Sequence, residues 1–122
     1  MRKISTKTHG IVDYSTAAGL LVLPRLLRWN PSVIRLLTGS AIFTTIYSLL
    51  TRYELGAFKV LPMKAHLGLD AAQSLALASA PFLFVDSRRS VTAWLLGISV
   101  FEALVTLNSE SKPRRRFLWF NR

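Results

Sequence analysis

The chain has 122 residues, of which 51% are apolar and only 18% charged, with a formal net charge of +10 and no cysteine. The absence of cysteine excludes disulfides, thiolate nucleophiles, iron–sulfur clusters and cysteine-ligated zinc. A soluble domain this small needs a large polar surface, so sparse, clustered charges and a mean hydropathy of +0.35 point to lipid as the solvent.

Four hydrophobic runs follow one another, at about residues 11–27, 33–50, 65–85 and 91–107. Each has roughly the 17–25 residues needed to cross a hydrocarbon core about 30 Å thick. Arg2, Lys3 and Lys7 ahead of the first run resemble a secretory leader. No small-x-small cleavage site follows, however, so an uncleaved first span is expected. Trp29-Asn30-Pro31-Ser32 reads as a tight turn with Asn30 as N-cap and Pro31 at the first helical position. Asp86-Ser87-Arg88-Arg89-Ser90 plays the same part before the fourth run. The longer connection, 51–64, carries Tyr53, Phe58, Lys59 and Lys64 and suits a path along the membrane surface. The basic and aromatic tail, with Arg114, Arg115 and Arg116, suits binding to anionic headgroups better than to nucleic acid.

The spread of Lys and Arg gives an orientation. Arg2, Lys3, Lys7, Arg52, Lys59, Lys64, Lys112, Arg114, Arg115, Arg116 and Arg122 fall on the side of the termini and the middle connection. Arg25, Arg28, Arg35, Arg88 and Arg89 fall on the other. The positive-inside rule then puts the protein in a plasma (inner) membrane with both termini cytoplasmic.

The third run also echoes the first. Lys7, His9, Asp13, Leu20, Pro24 and Leu26 recur as Lys64, His66, Asp70, Leu77, Pro81 and Leu83, each 57 positions later, and Gly39 recurs as Gly97 at 58. A duplicated two-helix hairpin is the simplest account. Its units are expected at 1–58 and 59–108, with a tail at 109–122, all in one all-α, polytopic domain. Two spans per unit make the repeats parallel, related by a pseudo-two-fold axis along the membrane normal.

On Lys-Thr-His-Gly-Ile-Val-Asp-Tyr at 7–14, Thr-Arg-Tyr-Glu-Leu-Gly at 51–56 and Leu-Pro-Met-Lys-Ala-His-Leu-Gly-Leu-Asp at 61–70, the chain resembles the SPW-repeat membrane proteins. The resemblance covers about residues 3–108 and implies a small helical protein built of a two-span unit, often doubled. It implies no particular activity. The Ser-Pro-Trp that names the family reads Leu23-Pro24-Arg25 and Ala80-Pro81-Phe82 here, so that only the proline is kept.

Chemistry centres on two His-x-x-x-Asp pairs, His9 with Asp13 and His66 with Asp70, each on one helix face. A carboxylate there fixes the imidazole tautomer. The plain reading is a structural hydrogen bond near a helix N-terminus, where the dipole favours a carboxylate. The sharper ones are a proton or cation path, a divalent metal, or one haem held between the two histidines. Whether the pairs meet depends on which helix faces point inward.

Glu102 sits within an apolar run and is expected to be a neutral carboxyl bonded between helices, or paired with Arg35. Glu54 is expected to meet Arg52, Lys59 or a histidine. Gly39, Ser40, Ala72, Ala76, Ala80 and Gly97 are spaced for close helix packing. Pro24 and Pro81 lie where a proline kinks or ends a span. Phosphate-binding glycine loops, Gly-x-Ser-x-Gly and zincin histidine pairs are missing.

The expected function is therefore non-enzymatic: a structural or partner-binding membrane protein, alone or as a homo-oligomer, with no resident cofactor. The alternatives are a proton or cation carrier and a metal- or haem-binding redox protein. A carrier calls for a wet cleft reaching the acids. A redox protein calls for imidazoles at ligating distance, and a passive bundle for dry packing with a separate partner for each histidine.

Overall fold

The computed structural model describes residues 3–83 and 89–112. Within them the chain is all-α, with helices α1 (Thr6–Leu26), α2 (Pro31–Leu50), α3 (Met63–Leu83) and α4 (Arg89–Asn108). Most of the Asp86–Ser90 turn and of the basic tail, including Arg114, Arg115 and Arg116, lies outside the described residues.

The helix ends have local causes. Ser5 caps α1, its Oγ accepting the Thr8 amide at 3.2 Å. Asn30 caps α2 through the Ser32 amide at 2.9 Å, with Pro31 opening the helix, as its sequence suggests. Arg28 takes the left-handed conformation at φ 54° and turns the chain between them. Pro24 and Pro81 fall inside α1 and α3, within the last turn of each, where the backbone bond a proline forfeits is near the helix end.

α1 packs along α2 and α3 along α4, giving two hairpins, with lesser contact between α2 and α3. At 20 or 21 residues, each helix is about 30 Å long. Two of the four, α2 and α4, are long and apolar enough to cross a membrane. Among the described residues, α1 and α3 carry seven of the thirteen buried polar side chains, including every buried ionisable one: Thr6, His9, Asp13, His66, Asp70, Gln73 and Ser74. Mean hydropathy counts such residues against a helix whichever way they point.

The buried stripes of the two hairpins correspond. In α2 and its cap they run Val33, Leu37, Ala41, Thr44, Ser48 and Thr51. In α4 and beyond, 58 positions later, they run Val91, Leu95, Ser99, the half-buried Glu102, Thr106 and Ser109. His9, Asp13, Ala17 and Leu20 of α1 are matched by His66, Asp70, Ser74 and Leu77 of α3. Leu20, Leu37, Leu77 and Leu95 join Val33 and Val91 in one apolar core. Trp29 and Trp94 approach at one end of the bundle, ring centroids 6.4 Å apart.

At the other end two short backbone pairings close the bundle. Leu61 N–H reaches Leu50 O at 2.6 Å and Arg52 N–H reaches Leu61 O at 2.8 Å. Likewise Ile4 N–H reaches Asn108 O at 2.9 Å and Glu110 N–H reaches Ile4 O at 2.8 Å. The segment before each odd helix thus satisfies carbonyls left open where an even helix ends. The bridges Thr51–Leu61 and Ile4–Ser109 mark them.

Several packing expectations are corrected. Gly39 and Gly97 are exposed, and a Cβ on either would meet nothing within 4 Å, so neither serves close helix approach. Gly97 instead lines an apolar groove of about 610 Å³ beside Gly19, Trp29 and Trp94. Ala72 and Ala76 are exposed and Ser40 is half-buried, leaving Ala80 alone of the α3 alanines in the core. The tight glycines are Gly10, whose added Cβ would lie 2.8 Å from Leu55 Cδ1, and Gly56, 1.8 Å from Thr51 O. Tyr53 is fully buried, whereas Phe58 and Val60 of the same connection are exposed.

Candidate functional site

The two His-Asp pairs converge. Thr6, His9, Asp13, Ala17 and Leu20 make one buried face of α1, because helical spacing stacks residues three and four apart. Met63, His66, Asp70, Ser74 and Leu77 do the same on α3. Where these faces meet, one nitrogen or oxygen from each of His9, Asp13, His66 and Asp70 lies within 4.8 Å of all the others.

The closest links cross between hairpins. His9 Nε2 is 2.7 Å from Asp70 Oδ2, and His66 Nε2 is 2.7 Å from Asp13 Oδ2. Within each helix the i,i+4 distances are longer, 3.2 Å for His9–Asp13 and for His66–Asp70. Histidines and carboxylates therefore alternate around a small ring. The imidazoles meet edge to face, with centroids 5.1 Å apart, and both are completely buried.

The other ring nitrogens are held as well. His9 Nδ1 stands 2.6 Å from Ser109 Oγ, and His66 Nδ1 2.7 Å from Thr51 Oγ1. Each hydroxyl spends its own hydrogen on the carbonyl four residues earlier, Ser109 on Val105 and Thr51 on Tyr47, both at 2.6 Å. It follows that both imidazoles donate from Nδ1. Each Nε2–Oδ2 link then needs one further proton, carried as imidazolium against carboxylate or as imidazole against carboxylic acid. Either way the quartet is neutral overall, as burial demands. Tyr47 adds a short hydrogen bond from its hydroxyl to Asp70 Oδ1.

Thr51, Ser109 and Tyr47 escaped the sequence reading. A signal for the first two existed, since hydroxyl residues 58 apart follow immediately after α2 and after α4. Tyr47 had none: the corresponding position 58 later is Val105.

The remaining acids lie beside the quartet. Glu54 Oε1 accepts from Thr6 Oγ1 at 2.6 Å, which ties the connection to the first residue of α1, and its charge also acts on Lys59, one of the cations expected. Glu102 lines a small cavity with Asp13, Thr16, Asp70, Gln73 and Thr106. Its Oε2 is buried with no hydrogen-bond partner among the described residues. Arg35 belongs to the far end of α2, the start of a helix whose other end reaches the quartet, so the Arg35 pairing is replaced by this polar cavity. Gln73 Nε2 donates to Thr44 Oγ1 at 2.6 Å and Ser74 Oγ to Ser99 O at 2.6 Å, joining α3 to α2 and α4.

Chemically the ring can clamp two hairpins, hold protons or hold a cation. It contains no nucleophile set beside an oxyanion-binding group. Comparison with known proteins finds no matching family model, no matching curated protein and no matching solved structure.

Proposed function

We propose that the protein is a four-span integral membrane protein of the SPW-repeat type, a duplicated hairpin with a pseudo-two-fold axis along the membrane normal. Its role is structural or partner-binding, with the His-Asp quartet as the internal clasp. The carrying observation is an inside-out distribution of polarity. Leu26, Leu75, Phe82 and Leu83 are 70–85% exposed, while both histidines and both aspartates are buried. Lipid favours such an exterior and requires interior polar groups to satisfy one another. In water the same exterior is an aggregation hazard.

In this arrangement α1 and α3 span beside α2 and α4, their polar residues turned inward. Both termini face the cytoplasm, and the tail containing Arg114, Arg115 and Arg116 rests on anionic headgroups. A second copy or another membrane protein covers part of the exposed apolar belt. The cysteine-free sequence makes the topology directly testable. Single cysteines at Phe58 and Lys112 should react with an impermeant maleimide only in inverted vesicles, and one at Leu27 only in intact cells. Reaction of Phe58→Cys from outside, or extraction of the protein by alkaline carbonate, defeats the proposal.

One observation favours a second role, as a proton or cation carrier: the unpartnered buried oxygen of Glu102 beside a cavity that touches Asp13 and Asp70. Purified protein in liposomes should then dissipate a proton or potassium gradient, and Glu102→Gln should remove that flux. Liposomes as tight as protein-free controls dismiss this role.

A further inference from the structure

We propose that the quartet His9, Asp13, His66 and Asp70 is a binding site for one divalent transition-metal ion of the zinc class, held by two imidazoles and two carboxylates. The site goes beyond the membrane reading and holds whether or not the bundle crosses a bilayer.

Its first support is ligand geometry. Four-coordinate zinc takes nitrogen and oxygen ligands at about 2.0–2.2 Å, which places neighbouring ligand atoms about 3.3–3.6 Å apart. Here neighbouring Nε2 and Oδ2 atoms lie 2.7, 3.2, 2.7 and 3.2 Å apart around the ring. Opening the two 2.7 Å contacts by about 0.6–0.9 Å, and the two 3.2 Å contacts by about 0.1–0.4 Å, brings the ring to those dimensions. Two imidazoles with two carboxylates suit a borderline dication better than calcium or magnesium, which call for six or more oxygens.

The second support is the surrounding shell. A ligating histidine characteristically gives its other N–H to a fixed acceptor, which sets the tautomer and orients the ring. Both imidazoles already do so, His9 to Ser109 and His66 to Thr51, and Tyr47 orients the Asp70 carboxylate. A simple two-residue clasp does not require both hydroxyls to be locked in turn onto backbone carbonyls. A cavity of about 10 Å³ adjoins Asp13, Asp70 and Glu102. It gives no space for a planar macrocycle, and the carboxylates already occupy the gap between the imidazoles, so the quartet is not a haem site.

The exchange balances. The ion-free quartet carries two protons in its Nε2–Oδ2 links. A dication forms two bonds to Nε2 and two to Oδ2, and those two protons leave to water. The buried charge is unchanged, zero before and zero after, so binding incurs no added penalty of burying net charge.

Full-length protein in mild detergent, stripped with chelator, is titrated with Co²⁺ and then Zn²⁺. One Co²⁺ per chain with the visible absorption of four-coordinate cobalt, bleached by stoichiometric Zn²⁺, is expected. Asp13→Asn keeps the shape of the side chain and His66→Ala removes a ligand; each should weaken binding at least tenfold. Ser109→Ala, which touches no ligand atom that meets the ion, should weaken it about tenfold as well, as outer-shell changes do. Folded wild-type protein that takes up no stoichiometric Co²⁺ overturns the proposal, irrespective of how the variants fold. Binding retained in both Asp13→Asn and His66→Ala overturns it too, because the ion is then elsewhere.

Discussion

At the scale of single residues, the quartet concentrates the energetic risk of the fold. Removing one member of a buried, charge-compensated group leaves its partner uncompensated, typically at about 3–5 kcal/mol. Asp70→Ala should destabilise the bundle by that order in denaturant titrations in detergent, and Tyr47→Phe by about 1 kcal/mol, the worth of one hydrogen bond. Because His9 lies nearer Asp70 than Asp13, 2.7 against 3.2 Å, a double-mutant cycle should give the larger coupling for His9 with Asp70. A larger coupling within the helix would show that the cross-links are subordinate. The glycines separate just as cleanly. Gly10→Ala forces a Cβ against Leu55 and Tyr53 at 2.8 and 2.9 Å and should cost about 1–3 kcal/mol. Gly39→Ala meets open space and should be neutral or stabilising by up to about 1 kcal/mol.

Tyr53 makes a prediction of another kind. It lies in the connection between α2 and α3, and burial holds its phenol above the usual tyrosine range. The unfolded chain loses this proton first as pH rises, so the folded state loses stability once pH passes the ordinary tyrosine value. Alkaline absorbance titration should show two phenols, those of buried Tyr47 and Tyr53, ionising only together with unfolding, and Tyr53→Phe should reduce that step to one. Ionisation of all three tyrosines in a still-folded protein would contradict its burial.

At the scale of elements, the helix ends were the most legible part of the sequence. Asn30-Pro31 states its own cap, since capping is decided by neighbours in the chain. Asn30→Ala should cost about 1 kcal/mol, read as a lowered unfolding midpoint. Side-chain stripes were less legible. Nearly every non-polar residue of α2 and α4 is of similar hydropathy, so composition does not say which face turns inward. The glycine match at 39 and 97 drew attention to an exposed face, while Val33 with Val91 and Leu37 with Leu95, at the same spacing, mark the buried one. For the same reason Thr51 and Ser109 look like ordinary helix-end residues until the histidines arrive over them. Thr51→Val and Ser109→Ala should therefore have similar effects on stability, each acting through a different histidine.

For the whole molecule, four helices of about 30 Å and their pairing into hairpins follow from run length and short turns, which are local properties. Chain periodicity also placed each histidine over its own aspartate, because helical geometry alone brings residues four apart onto one face. That the tighter partner of each histidine sits in the other hairpin was decided only by tertiary structure. Helix rotation about the long axis sets it, and that rotation is fixed by the packing of Leu20, Leu37, Leu77 and Leu95 together with the backbone pairings at Ile4 and Leu61. Glu102 shows the same division. Its depth in an apolar run was written in the sequence, but its neighbour is a polar cavity and not Arg35, because a distance between helices is set by which faces meet and not by position along the chain.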